Sequence, residues 1–369
     1  MDFTLSPEQV LLRDSVARFA ASHPANGTRP DYWKTFAELG WLGVGAPEDV
    51  GGFGGPTETL LLMEQCGRGL VASPYVSQVV FAGSVLREAG RTDLLKQLVE
   101  GKRRFAVAYE EPHARYDPSR VDTQAQESAG GWTLHGTKIR VLDPSTADTY
   151  IVSARSRDEG VALFLVPATS ANLERSAYPS EDGHDVAELR FDGVRLDRDA
   201  LLVRAGDGLE VLEAGIDAAT AALCAEALGL CTVMLETTVE YLKMRQQFGV
   251  PLSSFQALQH RMAEMYIELE LMRSMAYFAA KTLEDETDPF ARKRGISAAK
   301  AQIAKSGRFI GQQAIQLHGA IGMSEEYKIG HYFKRMSFVE RLLGDRDYHL
   351  RRFVELTYSA PREAVAAAW

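Results

Sequence analysis

Cysteine is scarce in this chain of 369 residues: there are three, Cys66, Cys224 and Cys231. An odd count with no paired, metal-type spacing argues against a disulfide framework or a structural zinc site, and the thiols read as reduced. No run approaches the roughly 18 consecutive apolar residues of a spanning helix. Met1-Asp2-Phe3-Thr4-Leu5 offers neither a basic n-region nor an apolar h-region. No secretory signal is therefore expected, and the expected location is cytoplasmic. Positive charge is not in excess either. Lys+Arg total 41 against 50 Asp+Glu, a formal net charge of −9, which argues against nonspecific nucleic-acid binding. There is no internal repeat and no low-complexity tail. What remains is an ordinary globular balance, 46% hydrophobic and 25% charged, with length for two or three domains.

Three textures follow one another. Residues 1–105 read as helical. Ser6-Pro7-Glu8 is a helix start, with a hydroxyl N-cap and proline where its missing N–H costs nothing. Leu12, Val16 and Phe19 then share one face, and a second helix carries Trp33, Phe36 and Leu39. The glycine-rich stretch Pro47 to Pro56 follows no apolar strand and has no Lys-Ser/Thr pair, so it reads as a turn rather than a phosphate cradle. Residues 106–205 read as a small β-barrel or sandwich. There, Trp132 to Val141 suggests strand, turn at Gly136, strand, and Leu189 to Leu196 suggests another turn at Asp192-Gly193. Residues 206–369 read as a four-helix bundle, with helices near 209–245, 253–285, 289–318 and 325–357. Alanines from Ala218 to Ala227 on the first of these favour close helix packing.

Periodicity stops at that architecture. The specific signal is the string Arg245-Gln246-Gln247-Phe248-Gly249-Val250-Pro251, continuing through Phe255, Gln256 and His260. It resembles the carboxyl-terminal signature of the acyl-CoA dehydrogenase family. Gln316-Leu317-His318-Gly319-Ala320-Ile321-Gly322 resembles that family's Gln-x-x-Gly-Gly-x-Gly stretch, with Ala320 replacing the second glycine. The order helical, β, helical is similar too. The resemblance implies a mostly α protein of that fold, FAD as cofactor and α,β-dehydrogenation of an acyl-CoA thioester. It also implies an oligomer, because these residues reach a neighbour's FAD. Planar Arg245 suits a pyrophosphate. Gln247, Gln256 and Gln316 supply neutral donors and acceptors, Phe248 covers part of the cofactor, and Gly319 lets the backbone come close.

The same resemblance places the usual base glutamate at Leu343, within Leu342-Leu343-Gly344-Asp345, and an alternative base at Ala219, followed by Thr220. Neither Leu343 nor Ala219 can take a proton. Asp345 and Glu226 are the remaining candidates for a displaced base. Asp345, with Asp347, Arg341 and Arg346, reads more simply as an ion-pair cluster, and Glu226 as a paired or capping carboxylate. His260 and His318 accompany the flavin motifs without metal-type spacing. In the β region the Trp and Thr that face the flavin ring in the family become Arg140 and Leu142. The family's glycine loop becomes Glu110-Glu111-Pro112-His113-Ala114-Arg115-Tyr116-Asp117.

The expectation is a degenerate subunit completing the FAD site of a catalytic sister in a heterotetramer, or else a homotetramer. Such assemblies in the family act on bulky lipid or steroid CoA esters and pass electrons to an acceptor such as an electron-transfer flavoprotein. The alternatives are a self-sufficient dehydrogenase with a displaced carboxylate, a scaffold without flavin, and a related flavin oxidase or monooxygenase.

Overall fold

The computed structural model describes residues 4–23, 30–128, 130–156 and 160–359. The first helices are α1 (Pro7–Ser22), α2 (Trp33–Glu38), α3 (Pro56–Gly69), α4 (Ala82–Glu88) and α5 (Thr92–Val99). Eight strands follow: β1 (Phe105–Ala108), β2 (Gln124–Ser128), β3 (Gly131–Leu142), β4 (Thr149–Ser156), β5 (Val161–Pro167), β6 (Leu173–Pro179), β7 (Asp185–Leu196) and β8 (Leu201–Val203). Then come α6 (Gly208–Met244), a ribbon of β9 (Gln246–Gln247) and β10 (Val250–Pro251), α7 (Gln256–Asp285), α8 (Pro289–His318), α9 (Lys328–Arg341) and α10 (Arg346–Ser359).

Two compact units divide the chain. The helical unit draws on Met1–Thr28, Gly55–Ala72 and Thr220–Trp369, so α1 and α3 belong with the carboxyl-terminal helices. The Ser6 hydroxyl accepts from the Gln9 N–H at 3.3 Å while the Gln9 side chain accepts from the Ser6 N–H at 2.9 Å, a reciprocal cap. Leu12, Val16 and Phe19 are buried as their spacing requires. The backbones of α3 and α6 meet where side chains are smallest. A Cβ on Gly67 would strike the Glu226 carbonyl, and one on Gly229 would strike that of Glu64. Within α6 an apolar stretch of mean hydropathy 1.8 is long enough to cross a membrane, and 83% of it is buried, as in a core helix.

The second unit, Arg29–Gly54 and Ser73–Ala219, holds the sheet, ordered β6-β7-β3-β2-β4-β5-β8 with β1 paired to β4. Its core runs through Leu134, Tyr150, Phe164, Leu189 and Phe191. Three sequence expectations are corrected here and in the bundle. Leu39 is 45% exposed, because α2 ends before it. Gly136 and Gly193 make no turns: β3 and β7 are unbroken, Gly136 pairs in register with Phe191, and Gly193 lies at a register irregularity between the strands. A Cβ on Gly136 would lie 2.7 Å from the Thr123 Cα, and Gly193 takes φ +74 as the extra residue of a bulge. Finally, the expected fourth bundle helix is two helices, α9 and α10, broken at Leu342 to Asp345.

Candidate functional site

The first candidate site lies at one end of α6. Arg245 continues the helix by one hydrogen bond, its N–H donating to the Tyr241 carbonyl at 2.8 Å, and then the chain turns into the β9–β10 ribbon. Phe248 and Gly249 form the turn with φ of 55° and 81°, the doubled positive φ of a tight hairpin. Glycine accepts this without strain, whereas phenylalanine does not. Phe248 is nevertheless 91% exposed, touching Phe255 edge-on at 6.2 Å. A strained, bare aromatic points to function. Arg245, Gln247, Gln256 and Gln316 are also exposed.

What joins the two motif strings is a stack absent from the sequence reading. Tyr241, one turn before Arg245, lies flat on His318, two residues after Gln316, with centroids 4.5 Å apart. Tyr327 packs against the same imidazole at a tilt, with centroids 5.2 Å apart. His318 Nδ1–H donates to the Ala314 carbonyl at 2.8 Å, and burial lowers the imidazole's proton affinity. Its Nε2 is then a bare acceptor, buried and without a partner. Gly319 follows with φ 64°, and a Cβ there would meet nothing within 4 Å, so the space above it is open. An outward guanidinium, three neutral amides, a bare ring and an unobstructed glycine suit the adenosine diphosphate half of FAD.

The second candidate site is the break between α9 and α10. Leu343 is 3% exposed and holds φ 57°. Its carbonyl accepts from His349 Nε2–H at 3.0 Å, which leaves Nδ1 to accept from Ser297 Oγ at 3.4 Å. Buried Lys300 ties down the end of α9 through the Val339 carbonyl, and burial lowers its pKa to about 8. The Asp345 carboxylate is engaged: it accepts from the Tyr348 N–H at 2.8 Å and caps α10. So is that of Glu226, which is 6% exposed and grips Arg335 with both oxygens, at 2.6 and 2.8 Å. Ala219 is fully buried, and Thr220 Oγ1 beside it in the chain is buried without a partner.

His349 makes this region sensitive to pH. Burial first, then Lys300 and Arg352, hold its proton affinity well below the usual value of 6.5. In the unfolded chain the imidazole titrates near 6.5, so on acidification the unfolded state takes the proton first. Its contribution is fully present above about pH 6.5 and is lost as pH falls, by up to about 1.4 kcal/mol per unit. Thermal melts between pH 7.5 and 5 will show this slope in the wild type and a flatter one in His349→Gln; equal slopes would remove His349 as the cause.

Arg140 and Leu142, the positions that the resemblance sets against the flavin, lie at the end of β3. Arg140 pairs with buried Glu110, and Leu142 is half-buried. Lys138 is fully buried and bonded to Glu111 at 2.6 Å; burial lowers its pKa to about 8 even beside that carboxylate. The glycines lost from the loop were legible in the sequence, but these partners were not. Among the described residues no group of acidic, histidine and cysteine side chains forms a metal site.

Comparison with known proteins matches three family profiles along the chain. They are described as acyl-CoA dehydrogenase N-terminal domain over residues 6–105, middle domain over 106–194 and C-terminal domain over 206–355. The chain is 29% identical to the probable acyl-CoA dehydrogenase YngJ of Bacillus subtilis, covering 96% of this chain and 98% of that protein. Among solved structures it is similar to a variant of the Tcur3481-Tcur3483 steroid ACAD, with TM-score 0.86 and 31% identity over 99% of this chain and 100% of that one. It is also similar to the ChsE4-ChsE5 complex of Mycobacterium tuberculosis, with TM-score 0.87 and 26% identity over 98% and 100%.

Proposed function

The chain belongs to the acyl-CoA dehydrogenase family, whose members are FAD-dependent, and from that premise we propose that it completes the FAD site of a catalytic sister subunit. The observation that carries this reading is the exposed hairpin, with Phe248 bare to water in a backbone conformation that costs energy to hold. Two of the solved relatives are named as two-component assemblies, which supports a heteromer, and one is named a steroid enzyme, which makes bulky acyl-CoA esters the first substrates to try. Bound FAD supplies the two-electron acceptor for α,β-dehydrogenation of the thioester. This chain's share is to bind and orient. Arg245 would hold the pyrophosphate with parallel donors, Gln247, Gln256 and Gln316 would satisfy neutral groups, and Phe248 would cover apolar surface and exclude water. The catalytic base comes from the sister, and an electron-transfer flavoprotein suits the acceptor role.

Assembly is the coarse test. Co-expressed with candidate sister chains, the protein is expected as a dimer of dimers carrying flavin absorbance. A monomeric mass at micromolar concentration would contradict it. Arg245→Ala is the fine test. It removes a charge-assisted contact of about 1.5–3 kcal/mol, so FAD affinity of the complex should fall about tenfold or more. Unchanged affinity would move the cofactor away from Arg245.

A further inference from the structure

The positions that face the flavin ring in the family carry Arg140 and Leu142 here, and Arg140 is engaged with side chains of the loop Glu110 to Asp117. Arg140 sits in β3 with φ 51°, at an irregularity where the pairing with β7 slips between Lys138 and Val141. From that bulge its guanidinium reaches Glu110, which is 7% exposed, and lies 4.8 Å over the centre of the Tyr116 ring. Tyr116 itself holds φ 73° and its neighbour Arg115 φ 46°, in the loop where the family has glycines. Three non-glycine residues at positive φ in one small cluster mark a conformation imposed by its contacts.

The loop is fastened at its root. The Ile139 N–H donates to the Glu110 carbonyl at 2.9 Å. Glu111, 3% exposed, accepts from Lys138 Nζ at 2.6 Å, from Thr123 Oγ1 at 2.7 Å and N–H at 3.1 Å, and from the Asp122 N–H at 2.6 Å. Lys138 adds Ser153 Oγ at 2.9 Å and the Tyr109 carbonyl at 3.3 Å. A buried pair satisfied on this scale does not swing open, because separating it would strand two charges in the interior.

We infer that Glu110, Arg140 and Tyr116 form a built-in seal over the chain's own flavin-ring subsite, the Tyr116 ring standing in for the ring it excludes. The inference rests on the reading above: the chain lends Arg245 to a sister's FAD and closes its own ring subsite at Arg140. The partly exposed guanidinium is neutralised by Glu110 and faced by an aromatic ring, so a flavin would have to displace both the ion pair and the cation–π contact. Flavin content should therefore be one FAD for every two chains in an assembly with a catalytic sister.

The two halves can be tested with separate ligands on the full chain. FMN carries the ring without adenosine, and ADP carries the clamp half without a ring. Fluorescence titration of the wild type with FMN is expected to show no quenching. The double variant Tyr116→Gly/Arg140→Ala should gain FMN affinity by about tenfold, the scale of one ring contact, with ADP affinity unchanged. Glycine accepts the φ of Tyr116 without strain, so this variant should fold, and a wild-type melting profile will certify it. Glu110→Gln, which keeps both side-chain volumes but loosens the guanidinium, should gain less than the double variant. Wild-type quenching by FMN equal to that of the opened variant overturns the seal. So does a folded double variant with no gain. If FMN behaves as expected while ADP binds none of the proteins, the clamp reading fails and the seal stands.

Discussion

Purified by itself and supplied with FAD, the chain will oxidise acyl-CoA esters about 10²–10⁴-fold more slowly than a base-bearing member of its family, the usual contribution of general-base assistance. Leu343 places a buried isobutyl group where the resemblance puts the carboxylate, and Ala219 leaves the alternative position with a methyl. Both candidates for a relocated base are engaged elsewhere. Asp345 gives one oxygen to the first turn of α10, and its carboxylate springs from the far side of Gly344, which turns at φ 117°. Glu226 spends both oxygens on Arg335. The assay is dye reduction across a range of acyl-CoA esters, repeated with Asp345→Asn. Asparagine is as good a helix cap as aspartate, so that variant separates chemistry from folding. Substantial turnover by the chain alone that collapses in Asp345→Asn would make it a self-sufficient dehydrogenase.

Glu226→Ala is expected to cost about 3–5 kcal/mol of stability, because it removes the bidentate carboxylate that grips the buried Arg335 guanidinium. Arg335 is 8% exposed, and the approach of α3 to α6 at Gly67 leaves no slack beside Glu226 for the helices to close further. The carboxylate is felt locally, since it adds to the burial that pushes the Cys66 thiol far up. Urea midpoints will measure the loss. The control is Glu226→Leu with Arg335→Met, which removes both charges and should recover most of it. A single-variant loss below about 1 kcal/mol would mean that the pair behaves as a solvated surface bridge.

Much of this architecture is written in local sequence. Ser6-Pro7 with Gln9 announces a reciprocal cap, and the stripe Leu12, Val16, Phe19 announces its buried face, because both depend on neighbours within two turns. The errors arise where a residue answers to a distant partner. Gly136 and Gly193 look like turns from within their own strands, yet one makes room for Thr123 and the other is a bulge, both set by pairing. The break at Leu342 to Asp345 is hidden because leucine promises helix, and only the φ values of Leu343 and Gly344 reveal it. In the site, Arg245 and Gln316 are legible as motif residues. The Tyr241–His318 stack that joins them is not, since it requires knowing that α6 and α8 end side by side. Likewise the substitutions to Arg140 and Tyr116 read as losses in the sequence, whereas in the fold they are partners.

The bare hairpin has a cost for the cell that makes this protein. Met244, Phe248 and Met323 are 74%, 91% and 75% exposed, at the end of α6, in the ribbon and in the turn after α8. On the proposed reading, a copy made without a sister chain would carry that apolar surface into a crowded solution, where it would be sticky toward other unassembled copies and recognisable to chaperones and proteases. Supply of the two chains would then have to be matched, and a surplus of this one would be cleared as an orphan.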